Sequence, residues 1–134
     1  MPLVNERITE VACGSSHVIL RTANKKVYTF GNGRFGQLGH GTFSSIDYPK
    51  LIEFSEFKNY LPLQITASFN SSIVLLSNKK IYWFGTNGTI DKIKTPIAFE
   101  IGRKVYLLLV SFRKSIEVSL PLCGYGVVGV ALPP

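Results

Sequence analysis

Apolar and polar residues alternate along the first half of the chain in short runs, and none of these runs has a helical period. Ile8–Cys13, His17–Thr22 and Val27–Phe30 each read as a strand whose branched and aromatic side chains suit a pleated, half-buried surface. Within the second run, Val18 and Leu20 fall on one face. Cys13-Gly14-Ser15-Ser16 is a tight turn, and Ala23-Asn24-Lys25-Lys26 is a polar hairpin turn. Glycines at 31, 33, 36, 39 and 41 then forbid a helix and imply positive φ or close backbone approach. A polar link from Thr42 to Tyr48 brings in Pro49 and the run Lys50–Phe54, which suits an edge strand because proline cannot donate to a central ladder.

The pattern then starts again. Asn24-Lys25-Lys26 returns as Asn78-Lys79-Lys80, an offset of 54 residues. At the same offset Ile19 meets Ile73, Tyr28 meets Tyr82, Phe30 meets Phe84 and Gly31 meets Gly85, while Val11 and Val27 become Ile65 and Ile81. Thr95-Pro96-Ile97 repeats the proline-led approach to an edge strand. Four short strands per unit at this period predict propeller blades rather than a helical solenoid. A weaker third unit follows, with Ser111–Ile116 resembling Ser68–Ile73 and Gly124–Gly129 echoing Gly31–Gly36. It has lost a hairpin turn and holds Pro121 where a strand would run, so it is degenerate. The expected fold is all-β: a partial β-propeller of two clear antiparallel blades and a degenerate third. The expected organisation is one domain over residues 1–134, with repeats at about 8–54, 62–100 and 101–134.

Composition adds limits. The chain has 134 residues, enough for one domain with a real core, and 46% hydrophobic against 17% charged residues excludes a disordered tail. A net charge of +7 permits anionic partners without naming one. Cys13 and Cys123 have neither metal-ligand spacing nor the density of a disulfide scaffold, so both are expected to be small buried hydrophobes. The N-terminus shows no secretory pattern, and the uncharged Val118–Pro134 stretch is interrupted by prolines and glycines, against a spanning helix. Asn70-Ser71-Ser72 and Asn87-Gly88-Thr89 fit the glycosylation pattern and are read as turn residues. The expected location is intracellular, cytoplasmic or nuclear.

Three stretches together resemble the regulator of chromosome condensation repeat family. They are Val11-Ala12-Cys13-Gly14-Ser15-Ser16-His17, Val27-Tyr28-Thr29-Phe30-Gly31 and Gly36-Gln37-Leu38-Gly39-His40-Gly41, with Trp83-Phe84-Gly85 keeping the strand end in the second unit. The resemblance covers roughly residues 8 to 100. It implies blades of a seven-bladed propeller and a role as an exchange factor for small GTPases, a chromatin-binding protein or an interaction module. Arg21 departs from the family pattern, which prefers an aliphatic residue there, and two repeats and a fraction cannot close a ring.

No constellation has catalytic or metal-ligand spacing, so no enzyme activity and no cofactor are expected. Gly31-x-Gly33-x-x-Gly36 follows a strand, but the dinucleotide fingerprint needs a helix at the loop, and Gln37-Leu38-Gly39-His40-Gly41 continues with turn residues. Gly14, His17, Gly31, Gly33, Gly36, Gly39 and Gly85 are therefore read as structural positions of the repeat, His17 as a hydrogen-bonded structural histidine, and His40 as exposed. Lys25, Lys26, Lys79 and Lys80 sit in equivalent hairpin turns, which places them on one rim as a possible basic contact; turn lysines also simply keep sheet edges soluble.

The expected function is a non-enzymatic protein-interaction module, with exchange on a Ran-like GTPase as a narrower form. Alternatives are a polyanion- or chromatin-contacting basic fragment and a truncated product without independent activity. Expected partners are a protein, a small GTPase among the candidates, and further copies of the chain. Nucleic acid would be held weakly and non-specifically, and no membrane is involved.

Overall fold

The structure is a computed structural model, and it describes residues 3–86, 88 and 91–100. Blade 1 is a meander of β1 (Ile8–Cys13), β2 (His17–Thr22), β3 (Val27–Gly31) and β4 (Ile46–Leu51). A short helix, α1 (Ser55–Asn59), leads to blade 2, formed by β5 (Pro62–Ser68), β6 (Ser71–Leu76), β7 (Lys80–Gly85) and β8 (Ile93–Glu100). Every strand pairs antiparallel with its sequence neighbour, so the chain is a partial propeller with two clear blades. The degenerate third repeat, 101–134, lies outside the described residues. Among those described, no helix is long and apolar enough to cross a membrane.

The repeat reaches the irregularities of the backbone. A bulge between Ile8 and Glu10 recurs between Pro62 and Gln64, and another between Thr29 and Gly31 recurs between Trp83 and Gly85. The hairpin turns match as well, with Lys25 at φ 63° and Lys79 at φ 66°, both left-handed. A left-handed residue lets the short turn follow the twist of its strands, and each lysine lies in the polar, solvent-facing turn.

Alternation assigns the faces. Ala12, Ile19 and Val27 of blade 1 meet Ile65, Ala67, Val74, Leu76, Tyr82 and Phe84 of blade 2 in one buried cluster. Fully burying an aliphatic or aromatic side chain is worth roughly 1.5–3 kcal/mol, so the inter-blade face is a main source of stability. Two expectations are corrected at the end of blade 1. The edge strand is Ile46–Leu51 rather than Lys50–Phe54, and its approach begins inside the stretch read as a polar link. The residues after it form α1, which has no side-chain hydrogen bond at its N-cap. Phe57 holds this helix down, packing edge-on against Phe54 and Tyr82 at centroid distances of 5.4 and 5.6 Å. Five residues are too few for an autonomous helix, so tertiary packing creates it. Cys13 is half-buried at the end of β1; Cys123 lies outside the described residues.

Candidate functional site

Between the blades runs a seam of buried polar groups, organised by the glycine-rich loop that joins β3 to β4. Two hydroxyls, one from each blade, anchor successive carbonyls of this loop. Ser72 of β6 donates to the Gln37 carbonyl at 2.8 Å, and Thr29 of β3 donates to the Leu38 carbonyl at 2.6 Å. Each hydroxyl has thereby used its only proton, so each must accept from the histidine beside it. His17 Nε2 lies 2.8 Å from Ser72 Oγ, and His40 Nε2 lies 2.8 Å from Thr29 Oγ1. Proton bookkeeping therefore places a proton on Nε2 of each imidazole, as in the neutral Nε2–H tautomer.

Burial agrees with that form. Desolvation lowers the pKa of His17 to about 4 against a partial opposing effect from a backbone interaction with Ser71. His40 is also lowered to about 4, by desolvation first and the Lys50 charge second. His40 is half-buried, which corrects its reading as an exposed loop residue. His17 is only 2% exposed, and among the described residues its Nδ1 has no hydrogen-bond partner, nor has the Nε2 of the fully buried Gln37.

The glycines fit the loop against blade 2. Gly36, at φ 83°, leaves no room for a side chain, because a Cβ would run into the Ile93 carbonyl. Gly39, at φ 75°, lies flat on the Phe84 ring, where a Cβ would come within 2.8 Å of it. Gly41 donates its amide to the Lys94 carbonyl at 2.8 Å. Two cation–π contacts reinforce the belt, Lys92 over Phe35 and Lys94 over Phe43, each at 5.3 Å. Within Gly31-x-Gly33-x-x-Gly36 it is Gly36 that packs on blade 2, and turns rather than a helix follow it.

The remaining motif glycines sit at strand ends. Gly31 and Gly85, at φ 109° and 110°, press on the backbone of Ser16–His17 and Asn70–Ser71 respectively. Gly14 packs against the His17 ring and the Phe69 carbonyl, and Gly33 against the Ser44 carbonyl. Ser15 ties the neighbouring turn across the seam, its amide donating to the Phe69 carbonyl at 2.9 Å.

At the other end of the seam lies a pair that sequence reading did not join. Arg21 Nε donates to Glu10 Oε1 at 2.9 Å, both side chains being almost fully buried. The same carboxylate oxygen accepts the Ile65 amide of blade 2 at 3.2 Å, and Arg21 reaches the Pro62 carbonyl at 3.4 Å. The signal was present in the repeat: Glu10 and Arg21 fall on Gln64 and Leu75, a neutral pair. A charge pair where the sister repeat is neutral marks a seam that blade 1 alone makes.

The lysine turns both connect the second strand of a blade to the third, at the end where Arg21 meets Pro62. Lys25 and Lys79 are exposed, and Lys80 is half-buried. Lys26 forms an ion pair with Glu6 at 3.0 Å, which also accepts from Asn24 at 2.9 Å, so part of its charge is spent within the chain. That pairing lowers the pKa of Glu6 and raises that of Lys26. Among the described residues, no three His, Cys, Asp or Glu side chains gather into a metal-binding group.

Comparison with known proteins finds a repeat model matching within the two blades. Profiles described as "Regulator of chromosome condensation (RCC1) repeat" match residues 8–37 and 25–75. The chain is 38% identical over 80 residues to E3 ubiquitin-protein ligase MYCBP2 of Danio rerio, covering 60% of this chain and 2% of that protein. It is 37% identical over 122 residues to the X-linked retinitis pigmentosa GTPase regulator of Homo sapiens, covering 90% of this chain and 12% of that one. Among solved structures, Prp20p from Saccharomyces cerevisiae aligns with a TM-score of 0.60 at 14% identity, covering 98% of this chain and 32% of its own. That identity speaks for the fold alone. The chain spans only a small part of the length of these relatives.

Proposed function

Because the chain belongs to the regulator of chromosome condensation repeat family, we propose that it is a protein-interaction module whose blades present their turns and loops to a partner. The observation that carries this reading is the seam. Its glycines, histidines and the Glu10–Arg21 pair are committed to holding blade on blade, so binding falls to the exposed turns at the two ends. Such a module needs no catalytic side chain. Residues 1–134 act as one unit in this reading, with repeats at about 8–54, 62–100 and 101–134.

A narrower form is action on a Ran-like small GTPase, as part of an exchange factor that distorts the nucleotide site by surface contact. The solved Prp20p was characterised for its binding to Gsp1p and histones, which supports trying both kinds of partner. The test uses the full chain with a Ran-like GTPase carrying fluorescent GDP and, separately, with core histones. Saturable binding to either, with nucleotide release unchanged, supports the module. Release accelerated in proportion to bound chain would establish exchange. Absence of binding to both would favour a chain without independent activity.

The second reading, a basic contact through Lys25, Lys26, Lys79 and Lys80, rests on their equivalent turns. It requires weak duplex-DNA binding that falls steeply with salt and is flattened when all four become glutamine.

A further inference from the structure

A cleft of about 420 Å³ opens between the lysine turn of blade 1 and the segment that carries α1 into blade 2. Its floor is apolar, with Ile52 and Phe57 buried beneath it. Tyr60 and Leu61 at its edge remain 43% and 52% exposed, which sets apolar surface beside charged residues. Lys25 and Lys58 border the same cleft and are exposed. Among the described residues neither forms an ion pair, and no acidic side chain lines the cleft. Glu6, the acid of the nearby turn, is already held by Lys26 and Asn24.

We propose that this cleft is a docking site for an acidic peptide segment of a protein partner, with one aromatic or aliphatic residue of that segment seated between Tyr60 and Leu61 and flanking carboxylates on Lys25 and Lys58. The inference rests on the interaction-module reading and names the surface and the partner chemistry. Charge complementarity selects an acidic segment, and the apolar floor selects against a simple polyanion, which would leave Tyr60 and Leu61 unsatisfied. The hairpin turn fixes the backbone of Lys25 at positive φ, which reduces the ordering cost of binding. α1, pinned by Phe57, does the same for the backbone of Lys58.

The test is fluorescence polarisation on the full chain with two labelled peptides. Both are short runs of glutamate and aspartate; one has a central phenylalanine and the other an alanine at that place. The phenylalanine peptide is expected to bind about tenfold more tightly than its alanine counterpart. Tyr60→Ser with Leu61→Ser should erase the difference between the peptides. Lys25→Asn with Lys58→Gln should weaken the phenylalanine peptide about tenfold and reduce its salt dependence. Asparagine tolerates the left-handed backbone of the turn, and circular dichroism checks that each variant is folded. Equal binding of both peptides, or displacement of the phenylalanine peptide by duplex DNA as effectively as by its unlabelled form, would overturn the proposal in favour of a polyanion surface. Binding unchanged by the lysine substitutions would also overturn it. A chain that binds a GTPase or histone yet neither peptide overturns the cleft alone, whereas one that binds none of them overturns the module reading too.

Discussion

Two histidines that the sequence reads differently, His17 as structural and His40 as exposed, have similar work in the structure. Each is neutral, donates from Nε2 to a hydroxyl that anchors the glycine loop, and is desolvated to a pKa near 4. An unfolded histidine titrates near 6.5, so the unfolded chain binds more protons between pH 6.5 and 4. Stability contributed by the neutral, buried form is therefore present above pH 6.5 and lost as the pH falls towards 4. For His17 the loss reaches about 3 kcal/mol. Thermal unfolding followed across this range should show a falling Tm, and His17→Gln should flatten the fall while lowering stability at neutral pH. The role of His17 as a hydrogen-bonded residue of the blade was legible from the family resemblance, with Ser71 at the matching position of the second repeat. That of His40 was not, because Thr29 and the loop carbonyls that bury it come together only on folding.

Strands were more legible than the joints between them. β1, β2 and β3 follow the alternation almost to the residue, and the offset of 54 carries them to β5, β6 and β7. α1 was hidden because it is five residues long and exists through the packing of Phe57. The glycine loop was legible as a special backbone, though not as the belt that reaches Ile93 and Lys94 of β8. Gly33→Val and Gly36→Val should each destabilise the fold by about 1–3 kcal/mol, since a Cβ meets backbone at both and Gly36 also loses its positive φ. Chemical denaturation measures this, and a Gly36→Val chain as stable as the parent would remove the loop from the seam. A second substitution set addresses the charged pair. Arg21→Leu alone removes the guanidinium bonded to the buried Glu10 and should cost about 3–5 kcal/mol. Adding Glu10→Gln recreates the Gln64–Leu75 pairing of blade 2 and should recover most of that loss, because a buried ion pair replaced as a unit is close to neutral.

At the scale of the molecule, each blade has a second face directed away from the seam. Blade 1 carries Val11, Val18 and Phe30 there, and blade 2 carries Ile73, Ile81 and Trp83, all half-buried. Propellers close by packing such faces on further blades, so copies joined head to tail are the expected recourse of a partial ring. Size exclusion with light scattering should report an oligomer at tens of micromolar, and a sharp, folded monomer would contradict that. The partner itself was not legible. Blade packing follows a periodic code that repeats within the chain, whereas a binding surface is written once, in turns whose residues solvent would also favour. The seam should make the two blades one cooperative unit. Hydrogen exchange on the full chain tests it most directly, read at Leu20 in β2, Val74 in β6 and Ile65, whose amide bonds to Glu10 across the blades. One opening free energy shared by all three amides, falling together in the Glu10→Gln chain, is the predicted result; separate openings for the two blades, with Ile65 exchanging ahead of both, would contradict it.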